Sequence, residues 1–164
     1  MTPTAEVIME TSAGLLLVGG GHEAVTHIRF LGGAPSRAAA RAGAAAGRGL
    51  PAPVRSAVRQ LEEYFAGRRR RFDLPLRLEG TPFQRAVWAF LLTIPYGRAY
   101  TYGEVAAALG KPCASRAVGA AVGRNPVSIV VPCHRVVAAG GRPGGYGGGL
   151  DAKLFLLHLE GIRL

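Results

Sequence analysis

Three short stretches near the start of the chain, residues 5–9, 15–18 and 25–31, are rich in Val, Ile and Leu. Ser12-Ala13-Gly14 and Gly19-Gly20-Gly21 separate them. Apolar runs of this length between glycine breaks predict a small antiparallel sheet. Residues 32–49 are mostly Ala, Gly and Arg, compatible with a loop or a weak helix. Val54, Val58, Leu61 and Phe65 then recur at helical spacing, so a helix is expected over 53–66, closed by Gly67. The four arginines at 68–71 read as a solvated turn. Leu74, Leu76 and Leu78 alternate as in a strand or an extended linker, and a domain boundary is placed near Glu79-Gly80.

The pattern sharpens from Thr81, a suitable N-cap with Pro82 at the first helical position. Phe83, Val87, Phe90, Leu91 and Ile94 make one apolar face, Trp88 packs beside it, and Pro95-Tyr96-Gly97 ends the helix. Thr101 and Glu104 have capping-box spacing ahead of a short helix that runs to Gly110. After Lys111-Pro112 a second helix is expected over 113–123, closed by Asn125-Pro126, and the pair forms a helix-turn-helix. That second helix is thin: Ala114, Ala117, Gly119, Ala120, Ala121 and Gly123, with Arg116 its one charge before Arg124. Small residues suit tight helix packing and entry into a narrow DNA groove equally well. Residues 140–149 include seven glycines around Tyr146, a flexible wall for a pocket. A last helix is expected over 151–160, capped by Asp151, with Leu154, Phe155 and Leu157 inward and His158 and Glu160 on the surface by default.

Charge narrows the partners. The formal net charge is +10, and residues 81–164 hold nine Lys or Arg against only Glu104, Asp151 and Glu160. Such an acid-poor half favours a polyanion, nucleic acid first and an anionic membrane second. Two cysteines, Cys113 and Cys133, make no disulfide framework. No secretory signal precedes the first apolar stretch, and no run is long enough to span a bilayer. A reduced, intracellular protein is expected. His22 and His27 have no cysteine near them, so no metal site is expected.

Candidate chemistry gathers at Ile129-Val130-Val131-Pro132-Cys133-His134-Arg135-Val136. An apolar run ends at a proline, and a cysteine and a histidine follow side by side. Cys133 is either a buried core thiol or a nucleophile activated by a nearby base.

Pro132-Cys133-His134-Arg135-Val136, preceded by Asn125-Pro126, resembles the active-site signature of the O6-alkylguanine-DNA alkyltransferases. The likeness covers at least residues 81–161 and reaches more weakly back to Val54. It implies an α+β fold: a small ribonuclease-H-like α/β domain over 1–79, structural in role. A mainly helical domain over 80–164 follows, with a winged-helix-like helix-turn-helix. It implies single-turnover, irreversible transfer of the alkyl group of O6-alkylguanine, and of O4-methylthymine, to Cys133 without a cofactor. Cys133, His134 and Glu160 would form the relay. Tyr102 would turn the 3′ phosphate and contact the base. Arg116 would replace the flipped nucleotide in the minor groove, among Ala114, Ser115, Ala117, Gly119, Ala120 and Arg124. Asn125 would brace the turn, the Val136 carbonyl would read the guanine amino group, Tyr146 would cover the base, and Lys153 would hold the loop and O6. Gly147 stands where many relatives carry a small polar residue. The resemblance further implies a monomer acting on double-stranded DNA, in the cytoplasm of a prokaryote or the nucleus of a eukaryote. Three competing readings differ in what they require. A lesion-binding relative would lack Cys133, a cysteine hydrolase leaves the helix-turn-helix unexplained, and a transcription regulator needs more base-reading side chains than 113–123 supply.

Overall fold

The computed structural model describes residues 4–32 and 49–164; most of the stretch read as a loop or weak helix lies outside the described residues. The chain divides into two compact units, Met1–Arg77 and Leu78–Leu164.

In the first unit β1 (Ala5–Thr11), β2 (Gly14–Gly20) and β3 (Val25–Leu31) form an antiparallel sheet in sequence order. The register pairs Val7 with Val18 and Val18 with Ile28. Helix α1 (Ala52–Phe65) packs on this sheet through Val54, Ala57, Leu61 and Tyr64, all fully buried. Buried Gln60 on α1 donates to the Asp73 carbonyl and accepts from the Asp73 N–H, each at 2.9 Å. That pins the extended segment carrying Leu74 and Leu76. The alternation there yields one parallel bridge, Val25 with Leu76, rather than a full strand. Within the arginine run, Arg69 pairs with Glu63 at 2.6 Å and donates to the Arg71 carbonyl, which folds the run into a turn.

The second unit begins with α2 (Pro82–Leu91), whose capping box joins Thr81 and Gln84. Strand β4 (Tyr100–Thr101) leads into α3 (Tyr102–Ala108), capped reciprocally by Thr101 and Glu104 as their spacing requires. Helix α4 (Ser115–Gly123) follows and packs on both α2 and α3. It starts two residues later than its composition suggests, because Lys111 to Ala114 close a turn first, the Ala114 N–H reaching the Lys111 carbonyl at 2.9 Å. Trp88 is buried at the α2–α4 contact and donates to the Ala121 carbonyl at 2.8 Å. That bond satisfies the one polar group of the largest core side chain.

The apolar run 129–131 forms a tight turn instead of a strand. Ile129 adopts φ 72°, among the described residues the one non-glycine at positive φ, at a cost of about 1–2 kcal/mol. Its side chain, 1% exposed, repays this through burial. The turn delivers the chain to a single 3₁₀ turn, Cys133–Arg135, and then to β5 (Val136–Val137), parallel to β4. Helix α5 (Leu150–Leu159) closes the unit. Gly149, at φ 90°, occupies its N-cap, so Asp151 lies in the first turn and does not cap it. Leu154 points outward, and Ala152, Lys153, Leu156 and Leu157 face in.

Candidate active site

A pocket of about 450 Å³ opens in the second unit, lined by Tyr102, Val122, Asn125, Cys133, Tyr146 and Gly147 among others. Cys133 is placed at its base by the turn at Ile129 and by Pro132, and is 5% exposed. Asn125 sets the position of that turn: its amide donates to the Val131 carbonyl at 2.8 Å and its oxygen accepts from the Val127 N–H at 3.0 Å. The end of α4 and the approach to the thiol are thereby one hydrogen-bonded piece. Burial pushes the Cys133 thiol up, and hydrogen bonding from Asn125, the Lys153 charge and a hydrogen bond from Tyr146 only partly offset it. At rest the residue is a neutral thiol.

His134 is fully buried, and its Nε2 lies 2.8 Å from Glu160 Oε1. A carboxylate accepts, so Nε2 carries the ring proton and Nδ1 keeps its lone pair. Nδ1 has no hydrogen-bond partner among the described residues. Burial holds His134 below its ordinary value against the pull of Glu160, with the Arg135 and Lys153 charges adding to the depression. The ring is a neutral base with its free nitrogen enclosed.

Glu160 is buried, contrary to its default placement on the surface, whereas His158 is exposed as expected. The carboxylate lies just past the end of α5 and meets Arg135 in a two-point contact: Nε to Oε2 and Nη2 to Oε1, each 2.8 Å. Burial alone would raise Glu160; hydrogen bonds from His134 and Arg135 outweigh it and hold the group at about 2. Arg135 is the residue that sequence reasoning passed over. It sits inside the signature, yet its partner is far along the chain, and a cation in an apolar stretch offers no signal of that.

Lys153 is also fully buried, one turn into α5. Its ammonium donates to the Val136 carbonyl at 2.6 Å and to the Gly145 carbonyl at 3.1 Å, tying the glycine loop to the strand after the thiol. Burial lowers it to about 8, with the nearby Cys133 pulling the other way. Tyr102, at the start of α3, stands at the pocket mouth; burial raises its hydroxyl, and Cys133 adds to this. Gly144 leaves the slot for its ring, since a Cβ there would lie 2.8 Å from the Tyr102 hydroxyl, whereas one at Gly119 would make an ordinary contact, 3.7 Å from the ring. At Gly147 a Cβ would meet nothing within 4 Å.

The small residues of the thin helix are divided between a packed face and an open one. Val118, Ala121 and Val122 pack inward, while Arg116, Ala117, Ala120 and Arg124 are exposed and Ala114, Ser115 and Gly119 half-buried. Cys113 is exposed in the preceding turn. His27 pairs with Glu6 at 2.8 Å, and no group of three metal-ligating side chains occurs among the described residues. No helix among them is long and apolar enough to cross a membrane.

Known proteins carry the same architecture. Residues 82–162 match the model of the 6-O-methylguanine DNA methyltransferase DNA binding domain, and residues 8–78 that of the ribonuclease-like domain of the same enzymes. The methylated-DNA–protein-cysteine methyltransferase of Methanosarcina barkeri is 46% identical over 93% of this chain and 94% of its own length. Its Mycobacterium tuberculosis namesake is 54% identical over 69% of this chain and 68% of its own. The crystal structure of the M. tuberculosis O6-methylguanine methyltransferase superposes with a TM-score of 0.81 at 42% identity, covering 96% of this chain and 93% of that one. The same bacterium's protein in complex with DNA gives 0.81 at 44%, covering 95% and 92%. Together the two domain matches account for nearly the whole described chain, and it belongs to the 6-O-methylguanine DNA methyltransferase family.

Proposed function

We propose that this chain repairs O6-alkylguanine in duplex DNA by moving the alkyl group irreversibly onto Cys133. The observation that carries this reading is the enclosed thiol at the base of a base-sized pocket, followed directly by a neutral histidine that a buried carboxylate orients. The Cys133 proton passes to His134 Nδ1, directly or through a water. The thiolate attacks the alkyl carbon in line, forming the S–C bond as the O6–C bond breaks. The electron pair stays on the guanine, which takes a proton back from the imidazolium. A free thiol of pKa about 8.5 is mostly protonated at neutral pH, so the reaction needs this base. The product is a thioether and an unmodified guanine, with no cofactor consumed and one turnover per molecule.

The target atom is inaccessible in a stacked duplex, and flipping it costs a few kcal/mol. Arg116, on the exposed face of α4 between small residues, fills the vacated space, and Ala114, Ser115, Ala117, Gly119, Ala120 and Arg124 line the groove contact. Tyr102 turns the backbone phosphate, Tyr146 covers the base and Asn125 braces the turn. The Val136 carbonyl, with a second lone pair beside its Lys153 contact, reads the guanine amino group. O4-methylthymine is a second substrate of the same chemistry. The protein acts as a monomer, in the cytoplasm if its cell is prokaryotic and in the nucleus if it is eukaryotic. In this reading residues 1–79 are structural and 80–164 carry DNA binding and chemistry.

A sensor that binds the lesion without transfer would have no use for Cys133. Mass spectrometry after incubation with a duplex holding one O6-methylguanine separates the two. One methyl on the Cys133 peptide, absent in Cys133→Ala, is expected. Tight binding without mass gain would overturn transfer.

A further inference from the structure

The relay described above makes no use of Arg135, yet Arg135 is buried and every nitrogen of its guanidinium meets a fixed acceptor. Nε and Nη2 hold both oxygens of Glu160 at 2.8 Å, and Nη1 donates to the Ile94 carbonyl at 2.6 Å. The Tyr96 ring lies against its face, 5.8 Å from the guanidinium carbon. Glu160 Oε1 is shared between Arg135 and His134 Nε2, so the cation and the base compete for one carboxylate.

Consider the cluster with and without that cation. With it, the resting thiol and imidazole are neutral and the carboxylate and guanidinium cancel. After the thiol gives its proton to Nδ1, thiolate and imidazolium cancel as well. These four groups carry no net charge in either state, and the buried Lys153 ammonium adds the same single charge to both, so moving the proton changes no net charge and burial opposes only the separation of thiolate from imidazolium. Without the guanidinium, Glu160 would be a buried, uncompensated anion beside an imidazole. The cheapest relief is protonation of His134 from solvent. The base would then begin the reaction already loaded, and thiolate formation would leave a net negative charge on Cys133, His134 and Glu160 taken together.

We infer that Arg135 is a positioning residue that keeps His134 an unprotonated base by cancelling the charge of Glu160, so that the relay stays electrically neutral before and after the thiol loses its proton. This rests on the alkyl-transfer reading for its purpose, though not for its electrostatics. The other ionisable groups facing the histidine and thiol are Lys153 from α5, Tyr102 from α3 and Tyr146 of the glycine loop, whose hydroxyl hydrogen-bonds the thiol. The Lys153 cation disfavours imidazolium in the same sense as Arg135, and Tyr102 stays a neutral phenol.

The test reads His134 in the resting protein without DNA, by ¹⁵N-histidine NMR across pH; the chain has 4 histidines, assigned by single substitution of the other three. In the parent, His134 is neutral at neutral pH. In Arg135→Met it becomes imidazolium, and in Arg135→Met/Glu160→Gln, where both charges are gone, it returns to neutral. Arg135→Lys keeps it neutral. Single-turnover transfer by Arg135→Met falls about a hundredfold at neutral pH, the scale of a lost general base, and its rate profile moves to higher pH. A merely structural arginine would slow transfer without changing the ring's protonation or the shape of the profile. A neutral His134 in Arg135→Met overturns the inference. If that variant does not fold, the double variant and Arg135→Lys decide, and a charged His134 in either overturns it. The ring titration is independent of whether Cys133 accepts an alkyl group, so failure of the transfer reading shows separately, as absence of mass gain in the parent.

Discussion

Replacing Glu160 with Gln should cost stability in a way that depends on pH, and the structure sets the size and the window. Glu160 titrates at about 2 in the folded protein against an ordinary 4.5. A gap of that size corresponds to about 3 kcal/mol of stability from this one group. Its folded value is depressed, so the contribution is complete above pH 4.5 and is lost as pH falls through about 2. Glu160→Gln should therefore unfold about 3 kcal/mol more easily than the parent near neutrality, in line with breaking a buried ion pair and stranding Arg135. The deficit should shrink toward zero as the parent carboxylate protonates. Urea titrations at a series of pH values, followed by Trp88 fluorescence, measure this directly. Trp88 is the chain's one tryptophan and is buried in the same unit as Glu160. A parent–variant gap that stays constant from about pH 6 down to about pH 2 would show that Glu160 is not held ionised by His134 and Arg135.

Two further substitutions separate recognition from chemistry. Arg116 is exposed and makes no hydrogen bond recorded among the described residues, so Arg116→Ala should leave stability within about 0.5 kcal/mol. It should slow transfer from duplex O6-methylguanine by tenfold or more on the scale of about 1.4 kcal/mol per decade, while transfer from a free O6-alkylguanine base is unchanged; equal loss on both substrates would refute the flipping role. Gly147→Ser places a hydroxyl where a Cβ meets nothing within 4 Å and where φ is ordinary. One added hydrogen bond to O6 is worth about 1 kcal/mol, so single-turnover kinetics should show transfer faster by about fivefold, and an unchanged rate would mean the backbone already serves O6.

Local patterning made the elements of both units legible. The glycine-broken Val, Ile and Leu stretches became β1, β2 and β3, and the Thr101–Glu104 spacing became a reciprocal cap, because each depends on residues a few positions apart. What stayed hidden depends on distant neighbours or on backbone that violates propensity. Ile129 is β-branched and reads as strand, yet burial of its side chain carries it into the left-handed region. Lys153 and Glu160 lie on or just past a helix in positions that composition alone puts at the surface. Only a fold that brings the Val136 carbonyl, His134 and Arg135 to them explains their burial. For the site residues the family resemblance supplied what periodicity could not, and Arg135, for which the resemblance gave no role, went unassigned.

Burial also redistributes the charge counted from the sequence. In residues 81–164 the cations Arg135 and Lys153 and the anion Glu160 are withdrawn inside. Of the two acids left, Glu104 is occupied in capping the Thr101 N–H at 2.7 Å and Asp151 sits in the first turn of α5, where the helix dipole favours it. The outer surface of this unit is therefore cationic with little to oppose it, while the net charge of the buried cluster is the same in both proton states. Salt should act on these two differently. Raising salt screens the surface and restores the counterions that phosphates release, so binding and second-order transfer on duplex DNA should fall steeply, with a log–log slope of about −0.9 for each phosphate neutralised. Transfer from a free O6-alkylguanine base involves no phosphate and a buried chemical step that changes no net charge, so its rate should be flat over the same range. Parallel salt series on the two substrates measure both slopes. A salt-dependent rate on the free base would mean that the buried cluster feels the solvent and that its constant net charge is not what sets the reactivity of Cys133.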